Sequence, residues 1–260
     1  MTSDPQGSFQ HRHIGPDTAA RDRMLRVVGL ASLGALIDQT IPPGIRSDQP
    51  LELPEADSEQ GYLRRLGGIA ARNVVARSYI GMGYYDCVTP SVILRNVFEN
   101  PGWYTPYTPY QAELAQGRLE SLLNFQTVVK DLTRMDIATA SLLDEGTAAA
   151  EAMTMFHRLQ GGNKAPAGKD TVFLVSDRCF PQTIDVLRGR AEPLDIRLEI
   201  GNLADLPDDR FAAAFGLLVQ YPDDRGEVSD LGPLIKRAHA AGLLVAVASD
   251  LMALTLLMPP

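Results

Sequence analysis

Thr171-Val172-Phe173-Leu174-Val175 opens the stretch that decides the fold. It is a short apolar run with β-branched and aromatic residues, which reads as a buried strand. Pro181-Gln182-Thr183-Ile184-Asp185-Val186-Leu187-Arg188-Gly189-Arg190 follows, with proline at a helix start and apolar residues at helical spacing. The alternation then repeats. Ile196 to Ile200 reads as a strand, Phe215 to Gln220 as a strand, Leu231 to Ala241 as a helix and Leu243 to Ala248 as a strand. Short apolar strands separated by helices imply an α/β fold, with a parallel sheet covered by helices. The chain ends soon after its last strand, so the sheet is expected to be incomplete, with an open edge that favours association.

Upstream of Thr171 the pattern is helical and then irregular. Residues 1–16 form a polar arm. Asp17 caps a helix from Thr18 toward Gln39, which Gly29 and Gly34 weaken enough to split in two. Ile41 to Pro54 is proline-rich and extended, and Ser58 caps a second helix reaching about Asn73. Ser78 to Tyr107 mixes glycines and prolines with many aromatics, and Thr89-Pro90 starts a short helix ending near Glu99. Aromatics are costly to leave in water, so this segment is expected to pack against something. Thr108, Pro109 and Gln111 have the spacing of a capping box with proline at the first helical position, for a helix to about Asp131. Asp144-Glu145-Gly146-Thr147 opens a further helix that ends before Gly161-Gly162, and Gly161 to Lys169 reads as a loop. These signals divide the chain into residues 1–107, carrying arm, helices and aromatic-rich segment, and residues 108–260, carrying the α/β domain.

Composition narrows the function. The 260 residues are 45% hydrophobic and carry a net charge of −8, with no clustered Lys or Arg. That charge argues against nucleic acid and against an anionic membrane surface. Cys87 and Cys179 lie far apart, outside any CxxC pair, which suits a reducing compartment better than a disulfide framework. No apolar leader or Arg-rich amphipathic start is visible, so a cytoplasmic location is expected. His157 and His239 have no partner at ligand spacing, and His11 and His13 sit in the polar arm, so no metal site is expected.

Three unusual motifs occur in order. They are Ser78-Tyr79-Ile80-Gly81-Met82-Gly83-Tyr84-Tyr85, then Arg95-Asn96-Val97-Phe98-Glu99-Asn100-Pro101-Gly102-Trp103-Tyr104-Thr105-Pro106-Tyr107, then Gln116-Gly117-Arg118-Leu119-Glu120 with Ser141-Leu142-Leu143-Asp144-Glu145-Gly146-Thr147. With Arg12-His13-Ile14-Gly15-Pro16 near the start, they closely resemble the N-terminal half of P-proteins, the pyridoxal-phosphate-dependent glycine decarboxylases of the glycine cleavage system. The resemblance runs from about Phe9 to Pro260.

That resemblance implies a partial fold-type-I large domain of the pyridoxal-phosphate-dependent transferases, with a helical N-terminal extension. It implies an N-terminal portion of the enzyme that decarboxylates glycine and passes the aminomethyl group to the lipoyl arm of H-protein. Pyridoxal phosphate would be held through a C-terminal half, and that half, lipoylated H-protein and glycine would be the partners in an oligomer. Of Lys130, Lys164, Lys169 and Lys236, none follows a strand in a small polar turn, so none is expected to anchor the cofactor. No catalytic or cofactor-binding residue is therefore assigned to this chain, which is expected to be inactive alone.

The substrate-binding candidates are Tyr84 and Tyr85, whose phenols would hydrogen-bond the glycine carboxylate from a turn that glycines let approach closely. The competing reading is that two adjacent tyrosines plug a loop onto the core. Thr105, Tyr107 and Thr108 are weaker candidates. Gly146-Thr147 resembles the phosphate-binding turn of fold-type-I enzymes and is read as a remnant that caps a helix, and Asp250 as a cap for the segment after it. Three residues depart from the family pattern: Cys87 for Thr, Phe180 for His and Met258 for Lys. The alternative function is a non-catalytic scaffold that pairs with a partner. Another pyridoxal-phosphate enzyme would share the alternation but not the region around Trp103.

Overall fold

The computed structural model describes residues 9–47, 49–104, 110–161 and 171–260, without the side chains of Gln10 and His11. Thr105, Tyr107, Thr108, Lys164 and Lys169 lie outside these residues. The chain divides into two compact units, up to Arg77 and from Ser78 to Pro260.

The first unit is helical. A short α1 (Phe9–His13) precedes α2 (Thr18–Val27), whose cap is Asp17 accepting the Ala20 N–H at 2.6 Å. Gly29 at φ 74° turns the chain out of α2, and Ser32 starts α3 (Leu33–Thr40) by accepting from Ala35 at 3.1 Å. The helix expected toward Gln39 is thus two helices, because a left-handed glycine and a fresh cap lie between them. Ser58 caps α4 (Glu59–Ala70) through the Gly61 N–H. The Asn73 side chain bonds the carbonyl of Ala70, so α4 stops short of Asn73.

The second unit begins with short turns of helix, α5 (Ser91–Ile93), a π-helical turn at Leu94–Phe98, and α6 (Pro101–Tyr104). Next comes α7 (Gln116–Thr133). The helix expected from Thr108 therefore starts later. Residues Gln111 to Ala115 close an isolated turn, and Ala115, at φ −113° and ψ 25°, leaves helical geometry before α7 begins. The Thr108 capping box lies outside the described residues. At the far end Arg134 takes a left-handed φ of 58° and stops α7.

The remaining elements keep to the alternation. They are α8 (Glu145–Leu159), β1 (Val172–Ser176), α9 (Pro181–Ala191), β2 (Arg197–Gly201), α10 (Asp208–Ala213), β3 (Ala214–Tyr221), α11 (Gly232–Ala240) and β4 (Leu244–Ser249). The strands form one parallel sheet in the order β2-β1-β3-β4. Two cores result. Met153, Phe156, Phe173, Leu187, Phe215 and Leu218 fill the space between one sheet face and helices α8 and α9. Leu174, Leu203, Phe211, Leu217 and Ala238 fill the other face, under α10 and α11. Phe173 and Phe215 stack at 5.4 Å. Gly216 sets the spacing of α8 from the sheet, since a Cβ there would lie 2.8 Å from the Phe156 ring and 3.0 Å from the Leu244 carbonyl oxygen. No described helix is long and apolar enough to cross a membrane.

Candidate substrate-facing cleft

The order β2-β1-β3-β4 places a switch point between β1 and β3, where the chain leaves β1 toward opposite edges of the sheet. In open parallel sheets such points leave a crevice beyond the carboxyl ends of the strands, and ligands bind there. A cleft of about 370 Å³ lies at this end, lined by residues that come after β1, β3 and β4. Tyr85, Glu145, Phe180, Gln220, Asp223 and Asp250 give it its chemistry. A neighbouring cleft of about 230 Å³ shares Gly83, Glu145 and Phe180 and is lined also by Tyr84, Asp144 and Gln182.

The two tyrosines reach these clefts from a tight turn. Gly81, Met82 and Gly83 all have left-handed φ, at 69°, 53° and 81°, and the Tyr84 N–H donates to the Gly81 carbonyl at 3.0 Å. Gln182 on α9 donates its side-chain amide to the Met82 carbonyl at 2.8 Å and ties the turn to the α/β domain. A Cβ on Gly83 would come within 3.0 Å of the Phe180 ring, so the backbone rests directly on that ring. Tyr84 and Tyr85 therefore diverge, one toward each cleft, and remain 60% and 69% exposed. Neither phenol hydroxyl meets a hydrogen-bond partner among the described residues.

Carboxylates dominate the floor. Asp144 caps α8, accepting the Thr147 N–H at 2.8 Å, while the Thr147 hydroxyl accepts from the Asp144 N–H at 3.1 Å. The Thr147 amide and hydroxyl hold the Asp144 carboxyl below the usual carboxylate range. Glu145 is different. Although part of it reaches solvent, the protein packed around it lifts its carboxyl above the glutamate range. The Thr183 hydroxyl, donating at 3.0 Å, works against that lift, and Asp144 and Asp250 add to it. Burial also opposes the charge of Asp223, but the amides of Glu227 and Arg225 and the Arg178 guanidinium, 2.8 Å away, outweigh it and lower its pKa. Cys179, just before Phe180, is buried, and burial first, then Glu145, Asp177 and Asp224, push its thiol up to about 12. It is an inert core residue at neutral pH.

The sequence model of the glycine cleavage system P-protein matches residues 11–260. The chain belongs to the P-protein family. It is 56% identical over 253 residues to the glycine dehydrogenase (decarboxylating) of Nostoc punctiforme, covering 97% of this chain and 25% of that protein. Against glycine dehydrogenase (decarboxylating) 2 of Pseudomonas aeruginosa it is 55% identical over 257 residues, 98% of this chain and 26% of the relative. The chain thus spans about a quarter of the length of these curated relatives. It also superimposes with a TM-score of 0.81 on a crystal structure of glycine decarboxylase (P-protein) in inhibitor-bound form, at 32% identity, covering 94% of this chain and 55% of that one. The α/β unit is therefore a P-protein fold of the fold-type-I class, as its alternation and motifs suggested.

Among the described residues, the cleft of this P-protein chain offers no lysine to anchor pyridoxal phosphate, and the helix start beside it is already capped. The phosphate of such a cofactor needs the bare N–H groups of a helix N-terminus. At α8 the Thr147 N–H is already taken by the Asp144 carboxylate, and Glu145 stands next to it. Neither described lysine lines the cleft, Lys130 lying on α7 and Lys236 on α11. Gly146-Thr147 is a capped helix start, as its sequence suggested. Asp250 likewise caps the turn after β4, its Oδ1 accepting the Met252 N–H at 2.9 Å.

Three of these cleft residues, Glu145, Gln220 and Asp223, were not singled out by their sequence, and Asp223 carried no local signal at all. Glu145 read only as part of a helix start. Gln220 read only as a strand end, although a glutamine closing an otherwise apolar run was the available signal. Of the three departures from the family pattern, Phe180 is the platform under Gly83, Cys87 is exposed beside the turn, and the Met258 carbonyl accepts from the Tyr221 hydroxyl at 3.2 Å.

Proposed function

We propose that the chain is the N-terminal portion of a glycine dehydrogenase (decarboxylating), which removes CO2 from glycine and transfers the aminomethyl group to the lipoyl arm of H-protein. Pyridoxal phosphate, in this reading, is held by a C-terminal half, and the whole works as an oligomer in the cytoplasm. This chain supplies Tyr84 and Tyr85, whose hydroxyls donate to the glycine carboxylate and fix its orientation for bond cleavage. Positioning of this kind lowers the barrier because the entropy of alignment is lost on binding rather than in the transition state.

The observation that carries the reading is the Gly81-Met82-Gly83 turn, pinned by Gln182 and seated on Phe180, which presents both phenols outward without a partner. Both side chains, 60% and 69% exposed, are free to reach a ligand. The test is glycine–bicarbonate exchange with lipoylated H-protein and pyridoxal phosphate, on the chain alone and with the C-terminal half of a related P-protein. No exchange is expected alone and exchange is expected with the partner. A hydrogen bond to a charged group contributes about 1.5–3 kcal/mol, so Tyr84→Phe with Tyr85→Phe should lower exchange roughly 10- to 100-fold. Exchange by the chain alone would overturn the assignment of the cofactor to the other half. A stable complex without exchange would leave a scaffold role.

A further inference from the structure

We infer that Gln182 is a positioning residue, whose side-chain amide holds the Gly81-Met82-Gly83 turn and so sets where the Tyr84 and Tyr85 hydroxyls stand. Its part in glycine binding rests on the reading of those tyrosines as substrate ligands. The turn needs an anchor. Every residue from Val74 to Thr89 except Gly81 is exposed. Among the described residues, one hydrogen bond joins residues 74–89 to any other part of the chain, and it is the Gln182 amide on the Met82 carbonyl at 2.8 Å. Met82 is the non-glycine residue of the turn, and its φ of 53° lies in the left-handed region that side chains disfavour. Such a conformation persists only where its surroundings hold it. Gln182 holds the carbonyl of that same residue.

The anchor is itself fixed. Gln182 is the second residue of α9, after Pro181 at the first helical position. Next to it, the buried Thr183 donates its hydroxyl to Glu145 at 3.0 Å. The Phe180 carbonyl accepts the N–H groups of Thr183 and Ile184 at 3.0 and 3.1 Å. Phe180 is buried too, and its ring is the surface on which Gly83 rests. Apolar contact of that kind has no preferred direction, whereas a hydrogen bond weakens steeply when its angle bends. Phe180 therefore sets how deep the turn sits, and Gln182 sets which way it faces. Tyr84 and Tyr85 follow within three residues of the held carbonyl, so a rotation at Met82 carries both phenols with it.

The experiment compares Gln182→Met, which keeps the length and removes the N–H donor, with Gln182→Lys, which restores a donor at similar reach. The first readout is deuterium exchange at the Tyr84 amide, followed by mass spectrometry on peptides from Ser78 to Asp86 of the full chain. Exchange should be roughly 2- to 10-fold faster in Gln182→Met, the worth of one hydrogen bond, and restored in Gln182→Lys. The second readout is glycine–bicarbonate exchange with the C-terminal half of a related P-protein present. The glycine KM should rise by the same roughly 2- to 10-fold at unchanged kcat, because only turns in the held state bind glycine and bound glycine recruits the rest. A merely structural residue would instead reduce the amount of competent enzyme and lower kcat at unchanged KM. Adding Gln182→Met to Tyr84→Phe with Tyr85→Phe should raise KM no further. Unchanged amide exchange in Gln182→Met, or kcat falling at constant KM, overturns the inference. Faster amide exchange with an unchanged KM overturns the reading of the tyrosines as glycine ligands and removes Gln182 from the reaction.

Discussion

The sheet and the segment from Ser78 to Leu143 have opposite fates. In the sheet, Phe173, Leu174, Val175 and Leu217 are completely buried. In the segment from Ser78 to Leu143, Tyr79 is 83% exposed, Val88 97% and Leu143 88%, and α7 has no buried residue. The expectation that this segment packs against something is not met within the residues described for the chain. The difference is one of how many neighbours an apolar side chain can collect. Strands at about 4.8 Å spacing, covered on both faces, surround every inward residue. Large exposed apolar areas such as those of the segment mark interaction surfaces.

The sharpest way to break the contrast is to cut into each region and compare stability. Phe173→Ala removes a fully buried ring, and equilibrium denaturation in urea should register a loss of about 3–5 kcal/mol. Tyr79→Ala or Val88→Ser should change it by no more than about 0.5 kcal/mol. If the surface variants proved as costly as the core one, the segment would be part of the folding unit rather than a surface. Next in size is Gly216→Ala. The methyl group must displace Phe156 or the β3–β4 backbone, and overpacking should cost about 1–3 kcal/mol in the same titration. A value near zero would mean that α8 shifts freely over the sheet.

The smallest expected effect is on acid stability. The Asp144 carboxyl lies below its unfolded value, so the stability it contributes is complete above the ordinary aspartate pKa. It is lost as pH falls from that value through the folded one. Glu145 has the opposite sign, because its carboxyl is raised in the folded protein. The folded chain favours its proton, so its unfavourable effect appears only as pH rises past the ordinary glutamate pKa and is complete above the raised one. Thermal melts of Asp144→Ala against the parent should therefore differ most near neutral pH and converge below the aspartate range. Melts of Glu145→Gln should show a small gain that grows from acid to neutral pH.

Legibility in the sequence split along the same divide. The central strands were readable because burial on both faces forces a continuous apolar run, and the run from Ala214 to Tyr221 is buried at every position, whereas β2 at the edge alternates and is only partly buried. Caps were readable for an equally local reason, as with Asp17, Ser58 and Asp144, whose side chains bond backbone within three residues. Less was readable where the partner was distant in sequence. The start of α7 depended on the irregular backbone at Ala115, which has no local signature. The cleft depended on Gln182 reaching Met82 and on Glu145, Gln220 and Asp250 arriving from three separate elements. Tyr84 and Tyr85 stood out because of their family motif, and their divergence toward two clefts comes only from the left-handed turn beneath them.

The strand order also sets a timetable for a chain emerging from the ribosome. β1 and β2 can pair as soon as Gly201 is clear, with Val172 against Arg197 and Ser176 against Gly201. β3 then joins the free side of β1, and β4 joins the free side of β3. No strand has to be threaded between two that are already paired, so the sheet grows only outward as synthesis proceeds. Asp250 comes one residue after β4, so among the cleft residues Glu145, Gln220 and Asp250 it is the last to leave the ribosome.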